Sequence, residues 1–83
     1  MYYFYIIYSS KADKFYIGHT SDIEGRMIKH NAHHNGYTGK LSDWKVVYSE
    51  EYSSKEEAYA RERQIKRWKN KNRIRALRDK DNS

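Results

Sequence analysis

The chain has 83 residues, no cysteine and no proline, and its 17 basic and 11 acidic residues give a formal net charge of +6. This length predicts a single domain over residues 1–83, and the lack of cysteine excludes disulfides and thiolate metal sites. The longest apolar stretch, Met1 to Tyr8, is far shorter than the roughly 20 residues of a membrane span and follows no basic segment. We therefore expect a cytoplasmic protein that is neither inserted in a membrane nor secreted through a standard signal.

The N-terminal part of the sequence predicts a β-hairpin followed by a helix. Residues 2–8 and 14–19 are rich in the β-branched and aromatic residues typical of strands, and the polar segment between them favours a tight turn. Ser21 and Glu24 have the spacing of a capping box, so we expect a helix from Ser21 to about His30.

The C-terminal part predicts one more strand and two helices. After a polar loop, residues 44–52 favour a strand. Ser54-x-x-Glu57 is a second capping-box pattern, from which a helix should run to Trp68, and a last short helix begins at Asn70 or Asn72. The order β-β-α-β-α-α predicts an α+β fold, in which helices pack against a small three-stranded antiparallel sheet.

Positive charge is concentrated near the C-terminus. From Arg63 to Arg78 there are eight basic residues and no acidic one, whereas the rest of the chain carries nine basic and eleven acidic residues. A cluster of basic residues of this kind usually binds a polyanion. Nucleic acid is the first candidate and an acidic membrane surface is the second. The basic residues are Arg63, Lys66, Arg67, Lys69, Lys71, Arg73, Arg75 and Arg78.

One carboxylate falls on the helix face that should meet the sheet. Glu62 shares a helical stripe with Ala58 and Ile65, and an unpaired buried carboxylate is energetically expensive. Either a cation or hydrogen bonds offset that cost, or Glu62 is partly exposed and pairs with Arg61 or Lys66.

A second candidate pair lies on the first predicted helix. Arg26 and His30 are one turn apart on the side that carries Ile23 and Met27. Together they could clamp a phosphate oxygen and assist proton transfer. The alternative is a solvated arginine and a histidine that caps the helix C-terminus.

The predicted hairpin contains two tyrosines that are candidate site residues. If its turn is centred between Ser10 and Lys11, Tyr5 and Tyr16 lie directly opposite each other and share a face of the sheet. Both phenols could then point to one place, although tyrosine is also an ordinary strand residue.

These residues together resemble the GIY-YIG nuclease superfamily, over about residues 2–78. Phe15-Tyr16-Ile17-Gly18 contains the family's YIG, and Tyr3-Phe4-Tyr5 stands where the family has GIY. The eleven-residue step from Tyr5 to Tyr16 fits the family. Tyr3 and Phe4 replace the glycine and isoleucine of GIY, which we interpret as a change of packing that keeps the catalytic tyrosine.

The later motifs extend the resemblance. The spacing of Arg26 and His30 behind the YIG tyrosine fits the family, although a glycine immediately before that arginine is unusual. The segment from Ser54 to Lys69 looks like the family's metal-binding helix, with Glu62 as its glutamate. Asn72 fits the spacing of an asparagine that follows in many members.

The resemblance implies a DNA endonuclease that hydrolyses phosphodiester bonds with one divalent cation, Mg²⁺ or Mn²⁺, held by Glu62. Arg26 would stabilise developing negative charge, and Tyr16 would position the water or phosphate. Tyr5 would activate or orient the attacking water, with a depressed pKa or a relay through His30 if it acts as a base. Relatives that act in excision repair add DNA repair to the expected roles.

The basic block would track the DNA backbone and supply sequence-independent affinity. The residues expected to bind nucleic acid are Arg63, Lys66, Arg67, Lys69, Lys71, Asn72, Arg73 and Arg75. Duplex or branched DNA is the expected substrate, and a separate protein could supply targeting. The alternatives are a nucleic-acid-binding module with little or no cleavage and a protein-interaction adaptor.

Overall fold

The computed structural model describes residues 1–32, 39–68 and 71–81, without the side chains of Lys71, Lys80 and Asp81. It has the predicted α+β fold, with three antiparallel strands and three helices in the order β-β-α-β-α-α. The elements are β1 (Tyr2–Ser9), β2 (Lys14–Thr20), α1 (Ile23–Asn31), β3 (Lys45–Tyr52), α2 (Lys55–Lys66) and α3 (Lys71–Asp81). The predictions for Lys69, Asn70 and residues 33–38 of the polar loop lie outside the described residues. No described helix has the length and apolar character needed to span a bilayer.

The most apolar strand lies in the middle of the sheet. The strand order is β2-β1-β3, and Phe4, Tyr5, Ile6 and Ile7 of β1 are all buried. Successive residues of a strand point to opposite faces of the sheet. Four consecutive buried residues therefore require other parts of the protein to pack on both faces.

Each face of the sheet has its own core cluster. On one face, Phe4, Ile6 and Ile17 pack with Ile65 of α2. On the other face, a cluster built around Tyr5, Ile7 and Trp44 includes Met27 of α1. Helices α1 and α2 therefore cover opposite faces of the sheet. A site that uses side chains from both helices must lie around a sheet edge.

The hairpin register differs from the sequence prediction by two residues. Tyr5 pairs with Gly18 and Tyr16 pairs with Ile7, so the predicted direct pairing of Tyr5 with Tyr16 is wrong. The turn is centred one residue later than expected and includes Asp13 at a φ of 51°. Because a shift of two residues preserves the strand's alternation, the two tyrosines still share a face as diagonal neighbours.

The first capping prediction is also corrected. The N-cap of α1 is Asp22 rather than Ser21, and Asp22 Oδ1 accepts a hydrogen bond from the Gly25 amide at 3.1 Å. A Cβ at position 25 would lie 2.3 Å from Asp22 Oδ2. The glycine that looked unusual beside Arg26 therefore leaves room for the capping carboxylate.

The second capping prediction is confirmed, with a different helix end. Ser54 caps α2, and its Oγ accepts from the Glu57 amide at 3.3 Å. The helix ends at Lys66, not at Trp68, because the Trp68 amide bonds to the Ile65 carbonyl in a tighter final turn. The described last helix spans Lys71–Asp81, so Asn72 is not its first residue, whereas the alternative start at Asn70 lies outside the described residues.

Candidate active site

A cavity of about 540 Å³ lies beside the edge strand β2 and receives side chains from both helix layers. Four of the five predicted catalytic residues, Tyr5, Tyr16, Arg26 and Glu62, line this cavity. The fifth, His30, is buried and in contact with Tyr5. The fold therefore gathers residues that are up to 57 positions apart in the sequence.

Tyr5 and His30 form a buried pair. The Tyr5 hydroxyl and His30 Nε2 are 2.8 Å apart, and the Tyr16 ring packs edge-on against the His30 ring at 4.9 Å between centroids. Burial raises the pKa of Tyr5 above its ordinary value, Tyr16 and Glu62 raise this pKa further, and Arg26 opposes the rise. Tyr5 is therefore a neutral phenol that can exchange a proton with the histidine.

Gly18 of the YIG motif allows this position of Tyr5. The tyrosine ring extends across β2 at its paired residue, and a Cβ on Gly18 would lie 2.6 Å from the Tyr5 hydroxyl oxygen. A contact that short requires an atom to move. The motif therefore needs glycine here for the close approach of a side chain, and the backbone φ of Gly18 is not positive.

Arg26 supplies positive charge to the cavity. It is exposed on α1, one turn before the buried His30, and its field lowers the pKa of Tyr5 against the larger effect of burial. The helix thus presents an accessible guanidinium to a ligand and a sheltered imidazole to the tyrosine. This arrangement favours the phosphate-clamp interpretation of the pair.

Glu62 enters the cavity from the opposite helix layer. It is 8% exposed, so the predicted burial of its helical stripe is confirmed. Its Oε1 lies 2.7 Å from His19 Nδ1, and its Oε2 accepts from Lys66 Nζ at 3.0 Å. The alternative prediction is therefore confirmed for the pairing with Lys66 and wrong for the partial exposure of Glu62. Arg61 pairs with Glu50 instead of Glu62.

His19 was missed by the sequence reasoning. It borders the cavity and contacts the one carboxylate of the candidate site. The alternation of β2 held a usable signal, because His19 shares a face with the buried Ile17 and that face packs against α2. A histidine on the α2 side of the sheet is a natural partner for a glutamate on the inner face of that helix.

The donor atoms at Glu62 fit a hard divalent cation. No group of three histidine or carboxylate side chains in the described part of the chain could hold a metal. Mg²⁺ commonly binds through one or two carboxylates and retains several waters, which one glutamate beside a polar cavity permits. The Lys66 side chain, which contacts Glu62 Oε2, is 50% exposed. The same set is unsuited to structural zinc, which takes four nitrogen or sulfur ligands.

Some of the basic block is engaged within the protein. Lys66 bonds to Glu62, and Arg75 Nη2 lies 3.1 Å from Asp13 Oδ1 at the hairpin turn. These side chains are less available to an external polyanion than the sequence suggested.

Five described members of the expected nucleic-acid-binding set are exposed: Lys66, which pairs with Glu62, and Arg63, Arg67, Asn72 and Arg73. Two of them lie over aromatic rings. The Arg63 guanidinium is 4.9 Å from the centroid of Tyr59, and that of Arg73 is 4.3 Å from the centroid of Trp68. The basic surface therefore includes aromatic rings beside its charges.

Comparison with known proteins gives consistent matches along the chain. The family model described as the GIY-YIG catalytic domain matches residues 1–75. A UPF0213 protein of Staphylococcus haemolyticus is 33% identical over 94% of this chain and 95% of its own length. A UPF0213 protein of Staphylococcus saprophyticus is 35% identical over 90% of this chain and 92% of its own. No solved structure matches.

Proposed function

The chain belongs to the GIY-YIG nuclease family, and from that premise we propose that it is a divalent-metal-dependent endonuclease that hydrolyses phosphodiester bonds in DNA. One observation carries the proposal. Tyr5, Tyr16, Arg26 and Glu62 line a single cavity, and His30 is hydrogen-bonded behind Tyr5. Each residue corresponds to a position of the family's motif, and their proximity supports a shared role for the set.

Arg26 binds the scissile phosphate in this proposal. Its guanidinium is exposed at the cavity and can donate two parallel hydrogen bonds to phosphate oxygens. The same donors stabilise the negative charge that grows on those oxygens during attack by water.

Tyr5 orients the attacking water and passes a proton inward. Because burial raises the pKa of Tyr5, a tyrosinate base is disfavoured at neutral pH. The phenol can instead take the water's proton while donating its own to His30 Nε2, provided that this nitrogen is unprotonated. The relay uses the 2.8 Å contact already present, and Tyr16 completes the wall that positions the water or phosphate.

Glu62 would hold the divalent cation, Mg²⁺ or Mn²⁺, which supplies charge neutralisation at the phosphate and the leaving oxygen. His19 holds Glu62 Oε1 and so fixes the direction in which the carboxylate points. Lys66 occupies Oε2 and would be released on metal binding.

The exposed part of the basic block supplies affinity for the DNA backbone. Such contacts carry no base-specific information, so we expect recognition by backbone or structure and not by sequence. Action in the cytoplasm, a role in DNA repair and recruitment by a targeting protein are further parts of this proposal.

A nucleic-acid-binding module with little cleavage is the second candidate. The observation in its favour is that both oxygens of Glu62 already have cationic or hydrogen-bonding partners within the protein. If Lys66 does not yield to a metal ion, the site binds DNA without cleaving it.

A cleavage assay distinguishes the nuclease from the nucleic-acid-binding module. Supercoiled plasmid and branched DNA would be incubated with Mg²⁺ or Mn²⁺ and with wild type, Glu62→Ala or Glu51→Ala. Glu51 is exposed on β3 and serves as the matched loss of one carboxylate. We expect metal-dependent nicking by wild type and Glu51→Ala, and a loss of about 100-fold or more in Glu62→Ala. DNA binding should survive in all three proteins.

Equal nicking by wild type and Glu62→Ala would contradict the role of Glu62. Salt-sensitive DNA binding without cleavage by wild type would favour the binding module. Absence of salt-dependent DNA affinity would favour a protein-interaction adaptor.

A further inference from the structure

A second open cavity, of about 400 Å³, lies next to the candidate active site. It is lined by His19, Lys55, Glu56 and Tyr59. His19 and Lys55 also line the first cavity, so the two share a wall. A molecule bound at Glu62 and Arg26 would therefore extend naturally along the outer side of α2.

Tyr59 is not needed for the core. The buried side of α2 consists of Ala58, Glu62 and Ile65, whereas Tyr59 is 45% exposed. Among the described residues, the other large exposed apolar side chains, Met1, Ile28 and Val46, line neither cavity. Tyr59 thus places an accessible aromatic ring beside the candidate catalytic residues.

The neighbours of the Tyr59 ring suit a nucleotide. The His19 ring lies 5.1 Å from it between centroids, and the exposed Arg63 guanidinium lies 4.9 Å from its centroid. Bases stack on aromatic rings and on guanidinium planes, whereas Lys55 and Arg63 can meet the flanking phosphates. Glu56 offers an acceptor to the amino groups of a base.

We propose that Tyr59 and its neighbours His19, Lys55, Glu56 and Arg63 form a pocket for one unpaired DNA base next to the scissile phosphate. The inference rests on the proposed nuclease function and narrows its substrate class. A base inside a duplex is already stacked on both faces and cannot enter such a pocket. The preferred substrate is therefore DNA with an unpaired nucleotide at the cleavage position, such as a flap or a branch.

Binding without metal tests this pocket apart from catalysis. A fluorescein-labelled duplex with a short single-stranded flap and a fully paired duplex of equal length would be titrated in EDTA, with fluorescence anisotropy as the readout. A 2-aminopurine at the first flap nucleotide reports stacking through quenching. The proteins would be wild type, Tyr59→Ala, Tyr59→Phe and Ile28→Ala, an exposed apolar change that lines neither cavity.

Wild type should prefer the flap and quench its 2-aminopurine. Tyr59→Ala should weaken flap binding about tenfold and abolish the quenching, with duplex binding unchanged. Tyr59→Phe and Ile28→Ala should behave as wild type. Because the wild-type preference and quenching require no variant, the proposal remains testable even if Tyr59→Ala fails to fold.

Several results would overturn the pocket. Equal affinity of wild type for flap and duplex would show that no unpaired base binds at Tyr59. Equal weakening of both by Tyr59→Ala would show the same. If metal-dependent nicking still depends on Glu62 in that case, the nuclease proposal stands and only the pocket is wrong. Flap preference with quenching but no cleavage supports the pocket and contradicts the nuclease. Absence of any DNA binding contradicts both.

Discussion

The Tyr5 hydroxyl is held between a glycine that makes room for it and a histidine that bonds to it. Gly18 contributes no side chain at the point where the ring crosses β2, and His30 Nε2 lies 2.8 Å from the phenol oxygen. The hydroxyl position therefore depends on two residues from different elements. Of these two residues, Gly18 is the one at which even a small substitution would displace the Tyr5 hydroxyl.

Gly18→Ala should impair both stability and activity. Its Cβ would meet the Tyr5 hydroxyl at 2.6 Å, and the buried ring has little space in which to retreat. We expect about 1–3 kcal/mol of destabilisation from overpacking, measured by urea unfolding. We also expect loss of metal-dependent nicking, because Tyr5 is moved away from His30.

Gly25→Ala is the matched comparison. Its Cβ would meet only the end of the Asp22 side chain. The loss of a cap, about 1 kcal/mol, is offset by a similar gain in helix propensity. A large destabilisation by Gly25→Ala, or none by Gly18→Ala, would contradict the packing argument.

Helix α2 is held over the sheet by contacts from two consecutive residues to the two edge strands. Arg61 pairs with Glu50 of β3, with its Nε 2.9 Å from Oε1, and Glu62 contacts His19 of β2. Glu50 also accepts hydrogen bonds from the Tyr48 and Tyr52 hydroxyls. Burial would raise the pKa of Glu50, but the hydrogen bonds from Arg61 and the tyrosines outweigh it and lower that pKa. This cluster fixes the orientation in which α2 presents Glu62.

Stability should fall as the pH rises above 10. Burial, assisted by Glu50, raises the pKa of Tyr48 and of Tyr52 to about 12 from an ordinary value of 10.0. The unfolded chain therefore loses these protons first, so the stabilisation is complete below pH 10 and disappears as the pH approaches 12. Urea unfolding at pH 8, 10 and 11 would measure the decline.

Tyr48→Phe provides the control for this pH dependence. It removes one titrating group from the cluster and should give a shallower decline over the same interval. An identical decline in wild type and Tyr48→Phe would show that Tyr48 is not responsible.

At the scale of the whole molecule, the fold divides the basic block into side chains that face solvent and side chains that hold the protein together. Arg67 is exposed at the end of α2, whereas Arg75 of α3 pairs with Asp13 at the hairpin turn, 62 positions away. The C-terminal helix thus packs its charge partly against the N-terminal hairpin. The eight basic residues of the block therefore overstate the number of positive side chains that are available to DNA.

Arg67→Ala and Arg75→Ala should therefore affect DNA binding differently. If Arg67 contacts one phosphate, its loss should reduce the slope of log affinity against log salt by about 0.9. Arg75→Ala should change the slope less and should cost up to about 1 kcal/mol of stability, as exposed ion pairs do. DNA titrations at several salt concentrations, with urea unfolding in parallel, measure both effects.

Equal reductions of the salt slope in the two variants would contradict this division of the block. If Arg67→Ala left the slope of log affinity against log salt unchanged, Arg67 would not contact the DNA backbone.

The order of the elements, the hairpin, the Ser54 cap and the buried stripe of Glu62 could be predicted from the sequence. These features depend on side-chain periodicity and on hydrogen bonds between near neighbours, which the local sequence determines. The spacing of Tyr5, Tyr16, Arg26 and His30 also indicated the family, which the match over residues 1–75 confirms.

The tertiary structure alone decided the hairpin register, the contact of His19 with Glu62 and the pairing of Arg61 with Glu50. Register depends on turn geometry and on packing of both sheet faces, so a shift of two residues leaves the sequence pattern unchanged. The partner of a charged side chain depends on which distant residue the fold brings within about 3 Å, and His19 and Glu62 are 43 positions apart. The rise in the pKa of Tyr5, where a tyrosinate base would need a lowered pKa, likewise follows from burial, which exists only once β1 is covered by both helix layers.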